Sequence, residues 1–127
     1  MTGSLGTNVV NDAYGYASAF FGELFGTFLL CYTVFETAVN PKANVGVNYG
    51  ISIGFAVFLA HLILLPIDGC SINPTRSFGP AIVGAIRNCP AGPGAQGVED
   101  LWVMFLAPLL GAAIAGGVKR VMQKKSD

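Results

Sequence analysis

Long apolar stretches alternate with short polar ones along this chain. Three of them, at about 17–39, 49–67 and 101–118, are continuous enough to predict membrane-spanning helices, since a helix crossing the hydrocarbon needs roughly 17–25 apolar residues. Between the second and third, one run breaks the pattern: Gly69-Cys70-Ser71-Ile72-Asn73-Pro74-Thr75-Arg76-Ser77-Phe78-Gly79-Pro80. It sets an amide, a proline and an arginine where hydrocarbon would be expected. Non-helical backbone is tolerated at membrane depth only where protein buries it or a water-filled cavity bathes it. The run therefore points to a pore.

Within that run Pro74 lacks an N–H and has a φ suited to the first helical position, with Asn73 before it as N-cap. From Pro74 to about Ile86, at about 1.5 Å per residue, a helix crosses only part of a core about 30 Å thick. The expectation is a re-entrant half-helix whose N-terminus offers free N–H groups and the positive end of a dipole, repelling cations. Taken alone, Asn-Pro is also a common turn dipeptide and Arg76 an ordinary loop cation. The flanking spans favour the half-helix.

Composition agrees with a membrane chain: 53% of residues are apolar and only 11% charged, and there are 17 glycines. Gly22 and Gly26 in the first span, and Ala112, Ala113, Ala115, Gly116 and Gly117 in the third, predict faces for close helix contact. The formal charge is zero, so no basic field argues for nucleic acid. No phosphate loop, metal-ligand spacing or nucleophile–base pair is present, so neither an enzyme nor a metal or cofactor is expected. Cys31, Cys70 and Cys89 leave an odd thiol and no disulfide framework.

Charge also orients the spans. Lys42, Lys119, Arg120, Lys124 and Lys125 are five of the seven basic residues; with three spans they share one side, which is the cytoplasm by the positive-inside rule. The N-terminus and the loop with Asp68, Arg87, Glu99 and Asp100 then lie outside. Glu36 is expected to snorkel or to pair with Lys42, Trp102 to anchor at the interface, and Ser126 to be solvated. Residues 1–16, polar and without signal-peptide features, read as an extramembrane loop or tail, an unusual beginning that suggests a fragment.

The segment Gly54-Phe55-Ala56-Val57-Phe58-Leu59-Ala60-His61-Leu62, followed by Asp68 to Ala81, closely resembles the second half of an aquaporin; so do Glu23-Leu24-Phe25-Gly26-Thr27 and Ala107-Pro108-Leu109-Leu110-Gly111. The resemblance implies an all-α integral membrane fold of two inverted repeats, each with three spans and one half-helix bearing an Asn-Pro-Ala motif. Residues 17–127 would form the second repeat, with the re-entrant loop and half-helix at 68–87. The expected partners are water, the lipid bilayer, a missing N-terminal aquaporin half and further copies in a homotetramer. An integral, multi-pass location is expected, with the plasma membrane ahead of an internal one and the C-terminus cytoplasmic.

Residue by residue, the resemblance places His61 and Arg76 in the selectivity filter, as in water-selective members, and Cys70 at the thiol that mercurials block. Asn73, Pro74 and Thr75 occupy the midplane motif, with Thr75 a departure from alanine that bears on selectivity. Glu23 would support the re-entrant loop by accepting its N–H groups. Ser77 and Ala81 match water channels, while Met104-Phe105 matches neither the water nor the glycerol group. Arg76 and His61 would exchange hydrogen bonds with passing water, Asn73 would orient one water at the midplane, and carbonyls of Gly69 to Ile72 would line the pore. The expected function is a passive water channel. The alternative is a non-conducting structural or regulatory subunit derived from an aquaporin half, against which the costly intramembrane Arg76 weighs.

Overall fold

The computed structural model describes residues 5–43, 48–88 and 97–126. Cys89 lies outside them, and so do the side chains of Lys125 and Ser126. Helix α1 runs over Gly15–Val34 and continues as a π-helical turn at Phe35–Val39; α2 is Tyr49–Asp68, α3 is Pro74–Ile86 and α4 is Leu101–Ser126. Among the described residues there is no strand. Three helical segments, Gly15–Val39, Tyr49–Asp68 and Leu101–Lys124, have mean hydropathies of 1.4, 2.2 and 2.0 and are long enough to cross a bilayer. The protein is an all-α, multi-pass integral membrane protein.

Local chemistry sets the ends of these helices. The Asn48 side chain accepts from the Ile51 N–H and starts α2. Gly69 ends it in the left-handed region, at φ +82°, with its N–H on the Leu65 carbonyl, a conformation glycine adopts without steric cost. That turn directs the chain into the loop before α3. In α1 the hydroxyls of Thr33 and Thr37 donate to the carbonyls of Leu29 and Thr33, and the π-helical turn lies in this stretch of back-bonding.

Close packing centres on α1. An added Cβ at Gly111 of α4 would stand 2.2 Å from the Leu24 carbonyl oxygen, so the α4 backbone lies directly against that of α1. On the neighbouring face, Cβ atoms at Gly22 and Gly26 would stand 2.5 and 2.9 Å from the Leu64 side chain of α2. Buried Ala19, Val103, Met104 and Ala107 enclose Val10 of the N-terminal segment, while Ala60 and Leu64 enclose Cys70 and Ile72 of the loop. The small-residue contact of α4 therefore runs through Ala107, Gly111 and Ala115, spaced four apart on one helical face. Of the cluster expected at 112–117, Ala113 and Gly117 face outward.

Two further positions gain partners in the structure. Glu36 accepts from Lys119 Nζ at 3.0 Å and Asn40 Nδ2 at 2.9 Å, a bond made possible because α4 continues as helix through Ser126 and brings Lys119 beside the end of α1. The segment before α1 is packed rather than loose: Asn8 is 1% exposed, and Asn11 N–H and Nδ2 bond the carbonyls of Ile67 and Pro66. On the outside, Phe55, Phe58, Leu62 and Leu65 of α2 are exposed, as suits helices whose remaining apolar surface meets lipid or other membrane helices.

Candidate functional site

The site is built on the irregular backbone between α2 and α3. Three consecutive N–H groups turn toward buried carboxylates. Asp68 Oδ1 accepts from Cys70 at 2.9 Å, and the fully buried Glu23 accepts from Ser71 at 2.6 Å and from Ile72 at 2.5 Å. Cys70 and Ile72 have φ values of +57° and +46°, the left-handed region that costs an L-residue energy, most of all a β-branched one. Charge-assisted bonds of this kind are the strong ones, and here they hold a backbone that would otherwise relax. Asp68 Oδ2 is buried with no hydrogen-bond partner among the described residues.

The loop delivers Asn73 to the start of α3. Its Oδ1 accepts from the Thr75 N–H at 3.0 Å and from the Thr75 hydroxyl at 2.6 Å, while Pro74 occupies the first helical position. Among the described residues, Nδ2 of Asn73 has no partner. The side chain is exposed, so Asn73 caps the helix with one end and offers a donor with the other. The Thr75 hydroxyl is turned back onto the cap.

Arg76 is held by the N-terminal segment. Its Nη1 donates to the Gly6 carbonyl at 2.7 Å and to Asn8 Oδ1. The same Asn8 donates from Nδ2 to the Asp68 carbonyl at 3.0 Å, and its Oδ1 lies 2.7 Å from the Ser77 hydroxyl, which in turn is 2.6 Å from the Ser71 hydroxyl. One buried asparagine thus ties the end of α2 to the first turn of α3. Ser77 and Ala81 are both buried, on the side of α3 that faces the protein.

His61 sits on α2 and is half-buried. Its Nδ1 lies 2.8 Å from the Val57 carbonyl. Only a protonated nitrogen can bond there, so in the neutral imidazole Nε2 is the acceptor. Among the described residues no hydrogen bond joins His61 to Arg76. Neighbouring Ala60 packs in the cluster with Cys70 and Ile72, so α2 and the loop form one body at this point. Cys70 is fully buried. Asn8, Asp68, Ser71 and Asp100 complete the site without a signal in the sequence. Their partners lie as far as 90 residues away along the chain, and no local spacing signals such pairs.

The sequence profile of the major intrinsic protein family matches residues 1–118. The chain belongs to this family. Aquaporin PIP2-7 of Arabidopsis thaliana is 36% identical over 126 residues, which are 95% of this chain and 42% of that protein. Probable aquaporin PIP2-6 of the same plant is 40% identical over 115 residues, 87% of this chain and 37% of that protein. Aquaporin PIP2-4 of Zea mays is 36% identical over 126 residues, 95% of this chain and 41% of that protein. The chain spans about two fifths of the length of these curated relatives. Major intrinsic proteins are channels rather than enzymes. The profile includes the Asn8 segment, so the anchor of Arg76 lies within the part of the chain that matches the family.

In this major intrinsic protein, Asn73 Nδ2, His61 Nε2 and the remaining N–H groups of Arg76 have no hydrogen-bond partner among the described residues.

Proposed function

We propose that the chain forms one repeat of a passive water channel. Its pore surface would be made by Gly69 and Asn73 at the two ends of the 69–73 loop, the start of α3 and the His61 face of α2. The observation that carries this reading is the double anchoring of Arg76 on Gly6 and Asn8. An intramembrane guanidinium so held is a fixed positive charge rather than a mobile one. Arg76 and His61 act as the filter, and Cys70, fully buried against Ala60 and Leu64, packs behind it. Asn73, Pro74 and Thr75 form the midplane motif, where Asn73 Nδ2 donates to one water and breaks a proton-conducting file. Glu23 supports the loop by accepting the Ser71 and Ile72 N–H groups, which fixes the position of Asn73 and Arg76. Ser77 and Ala81, in the packed face of α3, favour water over larger polyols.

The same proposal assigns 17–127 to a second aquaporin repeat and requires an opposing half, with its own half-helix, from an N-terminal aquaporin half. Four such units form a homotetramer in the plasma membrane, with the basic C-terminus in the cytoplasm. The test is stopped-flow osmotic shrinkage of proteoliposomes. They would carry this chain alone, or this chain with the first half of a relative such as Aquaporin PIP2-7, each beside His61→Ala and Arg76→Val. Shrinkage well above the lipid rate, together with solute or proton leakage in the filter variants, is the expected result. Shrinkage at the lipid rate in both preparations would sink the channel and leave the non-conducting subunit.

A further inference from the structure

Asp100 has no part in the filter as described, yet it holds the segment that holds Arg76. It lies immediately before α4 and is 4% exposed. Its backbone carbonyl accepts from Val103 and Met104, starting the helix. Each carboxylate oxygen then takes one further donor: Oδ2 accepts the Val10 N–H and Oδ1 the Tyr16 hydroxyl, both at 2.8 Å. A carboxylate is favoured at a helix N-terminus, so the anchor suits its place. Val10 is also clasped on its apolar side by Val103, Met104 and Ala107. Two residues before Val10 comes Asn8, and two before that Gly6, the two acceptors of the Arg76 guanidinium.

We propose that Asp100 is a positioning residue for solute exclusion, locking the 6–10 segment as a strap that fixes the Arg76 side chain. The physical need is plain. An arginine side chain has large rotamer freedom, and ordering it costs entropy, so a guanidinium held by only one mobile segment would sample other positions. Through Val10 and Tyr16 the strap is tied to the rigid junction of α1 and α4, where Tyr16 also lies 5.7 Å from the Trp102 ring. The site residue thereby takes its position from α4, although α3 carries it. The proposal rests on the reading of Arg76 as filter, and its test separates the two.

Asp100→Asn keeps the shape but leaves one carboxylate acceptor replaced by an amide, while Tyr16→Phe removes one donor and keeps the aromatic packing. The full chain, in lipid nanodiscs, would be followed by hydrogen exchange at the Val10 amide and by nitrogen-15 resonances of the Arg76 side-chain N–H groups. In parallel, proteoliposomes holding the chain with the first half of a relative would report the ratio of urea to water permeability. The expected result for Asp100→Asn is roughly tenfold faster exchange at Val10 and at the Arg76 guanidinium. The urea-to-water ratio should rise several-fold while water permeability stays within about twofold, and Tyr16→Phe should move in the same direction by less. If Val10 loosens and Arg76 does not, or if neither changes, the strap is overturned. If the guanidinium loosens but the ratio in a conducting channel is unchanged, the role in exclusion is overturned. Absence of water flux in the wild type would overturn both that role and the channel reading, while the exchange measurements still decide the strap. Should Asp100→Asn fail to fold, Tyr16→Phe carries the same comparison.

Discussion

Glu23, in the middle of α1, accepts the backbone N–H of Ile72 at 2.5 Å, and Ile72 is a β-branched residue held at φ +46°. The bond and the strained backbone belong together. A carboxylate buried in a membrane helix is costly without donors, and a left-handed isoleucine persists only where surrounding contacts over-determine it. Each feature meets the requirement of the other. The loop that presents Asn73 and Arg76 depends on this pair.

Glu23→Gln leaves one amide oxygen where two carboxylate oxygens stood, so at least one buried N–H loses a charge-assisted partner, a loss of about 2 kcal/mol. Glu23→Ala removes both, and a loss of about 4 kcal/mol is expected from two such bonds. Denaturant titration in detergent micelles, followed by near-ultraviolet circular dichroism, would check the order. A midpoint for Glu23→Ala equal to that of the wild type would show that the loop is held by something else.

The two glycine contacts of α1 should respond unequally. At Gly111 an added methyl meets the Leu24 backbone carbonyl at 2.2 Å, and no rotamer relieves it. Gly111→Ala is expected to cost about 3 kcal/mol, or to prevent α1 from seating on α4. At Gly22 the obstacle is the tip of Leu64, at 2.5 Å, which can swing aside, and a cost of about 1 kcal/mol is expected. The same titration tests both, and the reverse order would contradict the backbone-contact account.

Asn73→Asp separates capping from conduction. The carboxylate still accepts from Thr75, so stability should stay within about 1 kcal/mol of the wild type. The Nδ2 donor is lost and a negative charge takes its place, so in a conducting preparation water permeability should fall by roughly tenfold, the equivalent of one lost hydrogen bond, and cation leakage should rise. Unchanged flux with unchanged stability would remove Asn73 from the water path.

Thr75 departs from the motif without disturbing its cap, because its hydroxyl donates to Asn73 Oδ1 at 2.6 Å. Thr75→Ala loses that one exposed bond, about 0.5 kcal/mol, and should leave water permeability and its solute selectivity unchanged. A marked change in either would mean that the methyl or hydroxyl of Thr75 reaches the permeating molecule.

Apolar runs of membrane length, and an asparagine followed by a helix-starting proline, were enough to read an all-α membrane fold with one short helix at Pro74. Those signals act within a few residues, through hydropathy and backbone geometry, and do not depend on what packs where. The helix faces were harder to read. Of the expected cluster Ala115 is buried and Gly116 lies near Phe35, while Ala113 and Gly117 face outward; Gly111, whose backbone meets Leu24, sits one turn before the cluster. Glu36 sits near Lys42 in sequence, yet its bond to Lys119 exists only because α4 comes alongside α1 and stays helical to that depth. Most of all, nothing in the polar opening segment signals that Asn8 is buried and bridges Asp68 and Arg76. Hydropathy and local backbone preference therefore settled the class of this protein and the position of its short helix at Pro74. The fixing of its arginine was decided by tertiary structure, because a hydrogen bond between residues 68 or 90 positions apart has no signature until packing brings its donor and acceptor together.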